Sequence, residues 1–399
     1  MWNALIDHES TGQILTAWFE RCPLDQGKGS LKNSHHPRSE GTSSRFRIFG
    51  SESARWIQEQ GGTVGSFDPG RSEADRGSGR AVLVTGAAGL IGVSVVRCLL
   101  RDGFRVVAVD DGSAGTLGRL VEFNGNPQVA VRISDIRHRV ALAGLVAAER
   151  PWAVVHLAAR HFIPDCERFP GETLEVNVMG TQHLLDACAE HPPHRIVFAS
   201  TADVYAANVL PHSEDDAVSP VGAYGVSKLL GERLLRDQAY RLDGCTITIG
   251  RLFNVYGPGD PHPHLLPEVL RQLRNGSVLR LGDLESARDF VYVEDAAEAL
   301  IALLHIGEAG VFNVGTGTAV SGRELVQTVA AVIGREVEIE RDHGRLRRRV
   351  RPNLCAAPDR LRELVPWWPH VSFGGGIRYT VEAEFDEVVT GGEYAGRVS

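Results

Sequence analysis

A tyrosine and a lysine four residues apart form the pair best suited to chemistry in this sequence. Tyr224 and Lys228 belong to the stretch Tyr-Gly-Val-Ser-Lys, and Lys228 is the only lysine from residue 79 to the C-terminus, a region in which arginine is frequent. Residues four positions apart share one face of a helix, so the phenol and the ammonium group are expected side by side. An ammonium is more compact than a flat guanidinium and can approach a phenol closely. The composition therefore indicates a functional role for Lys228.

The pair is suited to removing a proton from a hydroxyl group. An isolated tyrosine has a pKa of about 10, and lowering this pKa by about 3 units requires roughly 4 kcal/mol. A cation about 4 Å away supplies on the order of 4 kcal/mol at an effective dielectric constant of about 20. We therefore expect Lys228 to lower the pKa of Tyr224, which then acts as a general base.

A glycine-rich turn between a predicted strand and a predicted helix is the second candidate site. The apolar run 81–85 leads directly into three glycines and an apolar helix, and the glycines are Gly86, Gly89 and Gly92. In a dinucleotide site, such glycines allow a tight turn and let backbone N–H groups approach the pyrophosphate at the N-terminus of the helix. Because the triplet lies between a strand and a helix, it indicates a dinucleotide site far more specifically than the spacing of the glycines alone.

The next predicted strand, residues 105–109, ends in a pair of acidic residues. Asp110 and Asp111 follow it directly. In dinucleotide-binding proteins an acidic residue at this place binds the ribose hydroxyls, and its negative charge disfavours a 2′-phosphate. NAD is therefore the predicted cofactor, in preference to NADP.

Strand-like and helical stretches alternate through the rest of the chain. Further apolar runs typical of buried strands occur at 129–133, 153–157, 195–199, 246–251 and 311–314. Helical stretches separate most of these runs. The alternation predicts an α/β fold with a Rossmann-type, doubly wound parallel sheet, in which ligands bind at the carboxyl ends of the strands.

Composition limits the partners and the location. The 399 residues are 43% hydrophobic and 23% charged, with a formal net charge of −8 that argues against a dedicated nucleic-acid binder. No run reaches the roughly 18 apolar residues of a membrane span. The six cysteines show no metal-ligand or disulfide spacing, so we expect no metal and a cytoplasmic protein with reduced thiols. Residues 1–79 are rich in Ser, Gly, His and charge, and we expect a poorly ordered extension and linker there.

Several further motifs match one known family. They are Ser134-Asp135-Ile136, His156-Leu157-Ala158-Ala159, Asn177-Val178-Met179-Gly180-Thr181, Arg251-Leu252-Phe253-Asn254, Arg288-Asp289-Phe290 and Phe312-Asn313-Val314-Gly315. Together with the glycine triplet and the Tyr224-Lys228 pair, they resemble the extended short-chain dehydrogenase/reductase family. More narrowly, the chain resembles the NAD-dependent sugar-nucleotide epimerases and dehydratases of the UDP-glucose 4-epimerase type.

The resemblance implies which residues hold each ligand. NAD would contact Gly86, Gly89, Leu90, Ile91, Gly92, Asp110, Asp111, Asp135, Ile136, Leu157, Ala158, Ala159, Asn177, Tyr224 and Lys228. A nucleotide-diphosphate sugar would contact Ser200, Asp203, Asn254, Arg288 and Arg351. The catalytic residues would be Thr201, Tyr224 and Lys228.

The resemblance also implies a domain organisation. Its parts are an NAD-binding Rossmann domain at 80–252, to which segments near 289–316 return, a smaller substrate-binding lobe at 253–385, and a C-terminal tail at 386–399. Helices that start near Asn177 and Tyr224 would pair two subunits into a homodimer.

The residues after Thr201 bear on the reaction. In this resemblance, the 4,6-dehydratases of the family are marked by a Thr-Asp-Glu arrangement, because elimination of water needs a base at C5 and an acid for the leaving hydroxyl. Here the sequence is Thr201-Ala202-Asp203. We therefore favour a 4-epimerase, in which Tyr224 is the base, Thr201 hydrogen-bonds the same oxygen, and hydride returns to the opposite face of the sugar. A 4,6-dehydratase, a nucleotide-uronate decarboxylase and a non-catalytic NAD-binding protein stay open as alternatives.

Overall fold

Thirteen strands run through the part of the chain that the structure describes. The computed structural model describes residues 79–113, 117–345 and 351–393, with the backbone alone for 386–393, so nearly all of the predicted extension lies outside the described residues. The strands are β1 Ala81–Thr85, β2 Arg105–Asp110, β3 Val129–Ile133, β4 Ala153–His156, β5 Arg195–Thr201, β6 Thr246–Leu252, β7 Asn254–Tyr256, β8 Val278–Leu281, β9 Ala287–Tyr292, β10 Gly310–Val314, β11 Ala319–Ser321, β12 Glu338–Arg341 and β13 Asn353–Leu354.

Eleven α-helices accompany these strands in the same described residues. They are α1 Leu90–Arg101, α2 Arg139–Glu149, α3 Ile163–Arg168, α4 Pro170–Leu174, α5 Gly180–Glu190, α6 Gly222–Asp237, α7 Leu265–Leu273, α8 Val293–Ile306, α9 Gly322–Ile333, α10 Asp359–Leu364 and α11 Phe373–Glu393. A π-helical turn, Glu175–Met179, joins α4 to α5. None of the described helices is both long and apolar enough to cross a membrane.

Seven strands form one parallel sheet in the order β10-β6-β5-β4-β1-β2-β3. The inner strands are apolar runs buried on both faces, as in β1, where all five residues are buried. Helices α1 and α8 cover one face, and α2, α5 and α6 cover the other. The order from β3 to β6 is the Rossmann arrangement. The predicted α/β fold with a doubly wound parallel sheet is thus confirmed, and each of the seven predicted strands lies in this sheet.

The parallel register brings the carboxyl ends of the strands to one edge. Thr85 of β1 pairs with Val109 of β2 and with His156 of β4. Thr201 of β5 pairs with Leu252 of β6. The loops that carry the glycine turn, the acidic pair and the segment after Thr201 therefore begin beside one another.

A smaller lobe is built from short strands that the sequence did not predict. Strand β9 pairs with β7, β11 and β13, and β8 pairs with β12. Helices α7, α9 and α11 share an apolar core that includes Leu270, Val326 and Ile377. Helix α8 and strand β10 lie between β9 and β11 in the chain but belong to the large sheet, because α8 packs on its face and β10 is one of its strands. Helix α11 continues to Glu393, past residue 386, where the predicted C-terminal tail begins.

Candidate active site

A cleft of about 1150 Å³ opens at the carboxyl edge of the sheet, with walls from the sheet and from the smaller lobe. With the exception of Asn177, the residues predicted for the site line this cleft. They are Gly86, Gly89, Leu90, Ile91, Gly92, Asp110, Asp111, Asp135, Ile136, Leu157, Ala158, Ala159, Ser200, Thr201, Asp203, Tyr224, Lys228, Asn254, Arg288 and Arg351. Tertiary structure therefore brings together residues that lie far apart in the chain, most of them at strand ends or on helices next to them.

The glycine turn forms one wall, between β1 and α1. Gly86 has a φ of +71°, and a Cβ atom there would lie 2.7 Å from the backbone nitrogen of Ala158. A Cβ atom on Gly92 would collide with the carbonyl oxygen of Gly86. Glycine at these positions keeps the N-terminus of α1 open toward the cleft, where its backbone N–H groups favour an anion. The turn thus fits the pyrophosphate of a dinucleotide.

Asp110 lies beside this turn at the end of β2. Its carboxylate accepts hydrogen bonds from the backbone nitrogens of Ala88, at 2.9 Å, and Gly112, at 2.8 Å. These bonds hold the side chain in one orientation while it borders the cleft. Further along the same edge, burial raises the pKa of Asp135, but the hydrogen bond and charge of Arg137 outweigh burial and leave the pKa below its usual range. This wall therefore presents negative charge where a ribose would bind.

We expect the protein to bind NAD more tightly than NADP, and Asp110→Asn to narrow the difference. The substitution keeps an acceptor for the Ala88 amide but removes the charge that a 2′-phosphate would meet. Calorimetric titration with both cofactors measures the two dissociation constants. Asp283→Asn, at a cleft residue of the smaller lobe bonded to Ser286, is the control and should leave the ratio unchanged. Equal affinity of the wild-type protein for both cofactors would contradict the prediction.

Helix α6 and strand β5 position the three predicted catalytic residues. Tyr224 and Lys228 lie one turn apart on α6. Thr201 is the last residue of β5, and its hydroxyl accepts a hydrogen bond from the backbone nitrogen of Asp203 at 3.2 Å. The Lys228 ammonium is buried, 4.1 Å from the centre of the Phe198 ring. All three side chains line the same cleft.

Burial dominates the proton affinities of this pair. Burial raises the pKa of Tyr224 above its usual value, the charge of Asp203 raises it further, and a hydrogen bond from Thr201 opposes both. Burial lowers the pKa of Lys228 to about 7, against the opposing charge of Glu232. The pKa of Tyr224 is therefore raised and not lowered as the sequence predicts, because the loss of hydration in this closed part of the cleft disfavours the phenolate.

Asn177 does not line the cleft but lies behind its wall, in the π-helical turn. Its Nδ2 donates to the Arg160 carbonyl and to the Ser227 hydroxyl, both at 2.9 Å, and its Oδ1 accepts from the Arg160 nitrogen at 2.7 Å. Ser227 in turn donates to the carbonyl oxygen of Tyr224. Asn177 thus ties the loop after β4 to the helix that carries Tyr224. Because these bonds occupy both ends of its amide, Asn177 has an indirect role at the site.

Sequence analysis missed a buried ion pair beneath Ser200. The Ser200 hydroxyl donates to Glu232 at 2.6 Å, and Arg251 donates to both oxygens of the same carboxylate at 2.9 and 2.8 Å. Both side chains of the pair are buried. Ser200 borders the cleft, yet its only proton is committed to Glu232, so toward the cleft it offers acceptor lone pairs. The spacing of Glu232 four residues after Lys228 was the signal in the sequence.

The candidate diphosphate residues come from the smaller lobe. Arg351 Nη2 donates to the carbonyl oxygen of Asp203 at 3.0 Å. Arg288 Nη1 donates to the carbonyl oxygen of Arg351 at 2.9 Å, and Asn254 is exposed at the start of β7. Of the arginine-rich segment, 346–350 lies outside the described residues, and Arg345 forms an ion pair with Glu268.

An aromatic contact that sequence analysis missed lies along the wall of the cleft, which His161, Phe162 and His264 line. The His161 ring packs edge-on against His262, with ring centres 4.6 Å apart, and Phe162 stacks on His262 at 5.2 Å. His264 accompanies them and pairs with the buried carboxylate of Asp260 at 2.7 Å. Burial lowers the pKa of His161 to about 4, so the His161 ring in this wall is neutral near pH 7. The histidine and proline run at 261–264 was the signal in the sequence.

Fold and site together define the class of protein. The protein has the features of an NAD-dependent short-chain dehydrogenase/reductase. They are a Rossmann-type sheet, a glycine turn followed by an acidic strand end, and a Thr-Tyr-Lys set that lines one cleft. Residues 82–315 match the model of the NAD dependent epimerase/dehydratase family, and the chain belongs to this family.

Known relatives extend over most of the chain. The UDP-glucose 4-epimerase of Mycolicibacterium smegmatis is 35% identical over 311 residues, which cover 75% of this chain and 97% of that protein. The UDP-N-acetyl-alpha-D-glucosaminuronate decarboxylase of Bacillus cytotoxicus is 30% identical over 319 residues, which cover 75% and 96%. The crystal structure of the UDP-glucose 4-epimerase of Thermus thermophilus in complex with NAD is similar, with a TM-score of 0.69, 30% identity, and coverage of 76% of this chain and 99% of that chain. The family contains NAD-dependent sugar-nucleotide epimerases, dehydratases and decarboxylases.

Proposed function

We propose that this protein is an NAD-dependent 4-epimerase of a nucleotide-linked sugar. The observation that carries the proposal is a complete Thr201, Tyr224 and Lys228 set in one cleft, next to a buried alanine where elimination would need a carboxylate. Ala202 is 1% exposed and belongs to a cluster of apolar side chains. Oxidation at C4 needs a base for the hydroxyl proton, whereas removal of water also needs a base at C5 and an acid for the leaving hydroxyl. The site supplies the first requirement, but Asp203 is the single carboxylate that follows Thr201 where elimination would use two.

The side chains of the cleft have distinct roles in this proposal. Bound NAD would supply the hydride acceptor for oxidation at C4 of the sugar and the hydride donor for the return step. Tyr224 takes the proton of the 4-hydroxyl, and Thr201 hydrogen-bonds the same oxygen. Lys228 places a compact cation next to the phenol, which stabilises the phenolate when the proton has been taken.

The arginines of the smaller lobe provide the anchor. Arg351 and Arg288 would hold the diphosphate through charge-assisted hydrogen bonds, which are stronger than neutral ones. With the nucleotide end fixed, the sugar ring turns between two orientations, as inversion at C4 requires. The proposal includes a homodimer formed through α5 and α6, as in similar enzymes, and a location in the cytoplasm.

In deuterated water, we expect epimerisation to leave no solvent deuterium on any carbon of the sugar. The hydrogen removed from C4 returns to C4 without exchange, and Tyr224 handles only the oxygen-bound proton. The experiment incubates the purified protein with a panel of nucleotide sugars and follows the products by NMR and mass spectrometry. Deuterium at C5 would identify a dehydratase, and release of carbon dioxide would identify a decarboxylase. Either result would reject the epimerase proposal and leave the role of Tyr224 in oxidation intact.

A further inference from the structure

Glu167 is an acidic side chain of the cleft that neither the cofactor nor the proposed chemistry uses. It lies on α3, is exposed, and lines the cleft. Its Oε1 atom lies 3.4 Å from the position that a Cβ atom on Gly222 would take. Gly222 is the first residue of α6, two positions before Tyr224. The preceding residue, Cys166, is close enough to Tyr224 to influence its pKa. Glu167 therefore lies at the end of the cleft where the reacting sugar must meet Tyr224.

The surroundings of Glu167 differ from those of the other carboxylates in the cleft. Asp135, Asp260 and Glu268, for example, accept hydrogen bonds from Arg137, His264 and Arg271. Within the described part of the chain, the Glu167 carboxylate makes no hydrogen bond and no ion pair. An exposed carboxylate without a protein partner keeps its full capacity to accept hydrogen bonds from a ligand.

A cation of the cleft that is close to Glu167 in the sequence is directed elsewhere. Arg160 lines the cleft, but its guanidinium is paired with Glu172 and lies over the Phe169 ring, 5.8 Å from its centre. Neither Glu172 nor Phe169 borders the cleft. The second carboxylate near Tyr224 is Asp203, whose charge raises the pKa of Tyr224. Asp203 lies 4.0 Å from the guanidinium of Arg351, so of these two carboxylates only Glu167 lacks a cationic partner among the described residues.

We propose that Glu167 is a specificity-determining residue: it accepts hydrogen bonds from the hydroxyl groups of a neutral nucleotide-linked sugar and rejects a sugar that carries a carboxylate. This inference rests on the proposed 4-epimerase function and narrows its substrate class. Hydroxyl groups donate to carboxylate oxygens, whereas a hexuronate would bring a like charge into a partly enclosed cleft. Selectivity then comes from repulsion of the wrong substrate as well as from contacts to the right one.

The test compares UDP-glucose with UDP-glucuronate and the corresponding dTDP-linked pair, with NAD supplied, in the wild-type protein and in Glu167→Gln. We expect the wild-type kcat/KM to favour the hexose, and Glu167→Gln to shift the hexose-to-uronate ratio toward the uronate by about 10-fold or more, because one like charge is removed. Turnover of the hexose should stay within about 10-fold, since glutamine still offers an acceptor oxygen. Asp165→Asn, on the same short helix but outside the cleft lining, is the matched control and should leave the ratio unchanged.

The outcomes separate this inference from the function on which it rests. Equal turnover of both sugars, preference for the uronate, or an unchanged ratio in Glu167→Gln would overturn the inference and leave the epimerase function standing. A lower melting temperature of Glu167→Gln with an unchanged ratio would show that the carboxylate only stabilises the start of α6 through its position near the helix N-terminus. Absence of turnover and of calorimetric binding for every sugar would overturn the proposed function itself and, with it, the inference.

Discussion

Tyr224→Phe is expected to lower kcat by about 100-fold or more while NAD still binds, because removal of a positioned general base typically costs at least that factor. Phenylalanine preserves the shape of the ring and removes only the hydroxyl that takes the proton from the sugar. Lys228 and Thr201 stay in place on α6 and at the end of β5. The loss should therefore fall on kcat rather than on the dissociation constants of NAD or substrate.

Steady-state kinetics and calorimetric binding of NAD measure the two quantities separately. Tyr240→Phe is the control, because Tyr240 is 82% exposed and lies outside the cleft lining. This control should retain wild-type turnover. A Tyr224→Phe variant that keeps more than about a tenth of the wild-type kcat would show that another group is the base.

Glu232→Gln is expected to destabilise the fold by about 3–5 kcal/mol, since it breaks a buried ion pair and leaves a buried cation without a charged partner. Glu232 accepts four hydrogen bonds, two from Arg251, one from Ser200 and one from Arg236. The side chain of Arg251 is 3% exposed, so water cannot replace the lost charge. The amide of glutamine also cannot accept at both ends of the guanidinium fork.

Urea unfolding of the two proteins measures this difference in the free energy of unfolding. Glu122→Gln is the matched control, because it breaks the ion pair with Arg97 on the surface, where both side chains are well exposed. Such surface pairs contribute about 1 kcal/mol or less. If Glu232→Gln cost no more than this control, the pair with Arg251 would have no special part in holding β6 and α6 together beneath the site.

Local patterns in the sequence determined the large sheet and most of the cofactor wall. The inner strands of the sheet are buried on both faces, so each reads as a continuous apolar run, such as 81–85. The turn at Gly86 needs glycine for its positive φ and its close approach to Ala158, and this requirement is visible in a single residue type. The alternation of these runs with helices was enough to place the ends of the strands at one edge, because parallel strands can connect in few ways. The strands of the smaller lobe gave no such signal, since β13 has two residues and β11 has three.

Only the tertiary structure decided which predicted residues are free to meet a ligand. Asn177 and Ser200 carry the right chemical groups, but Ser227 and Glu232, far away in the chain, already use their hydrogen-bonding capacity. The proton affinity of Tyr224 likewise depends on how completely the folded chain removes water, and burial there raises the pKa that the spacing predicted to be lowered. Residue type and spacing thus predicted the cofactor and suggested a catalytic set, which stays a prediction, while hydrogen-bond partners and burial in the cleft depend on contacts between distant segments and could be known only from the fold.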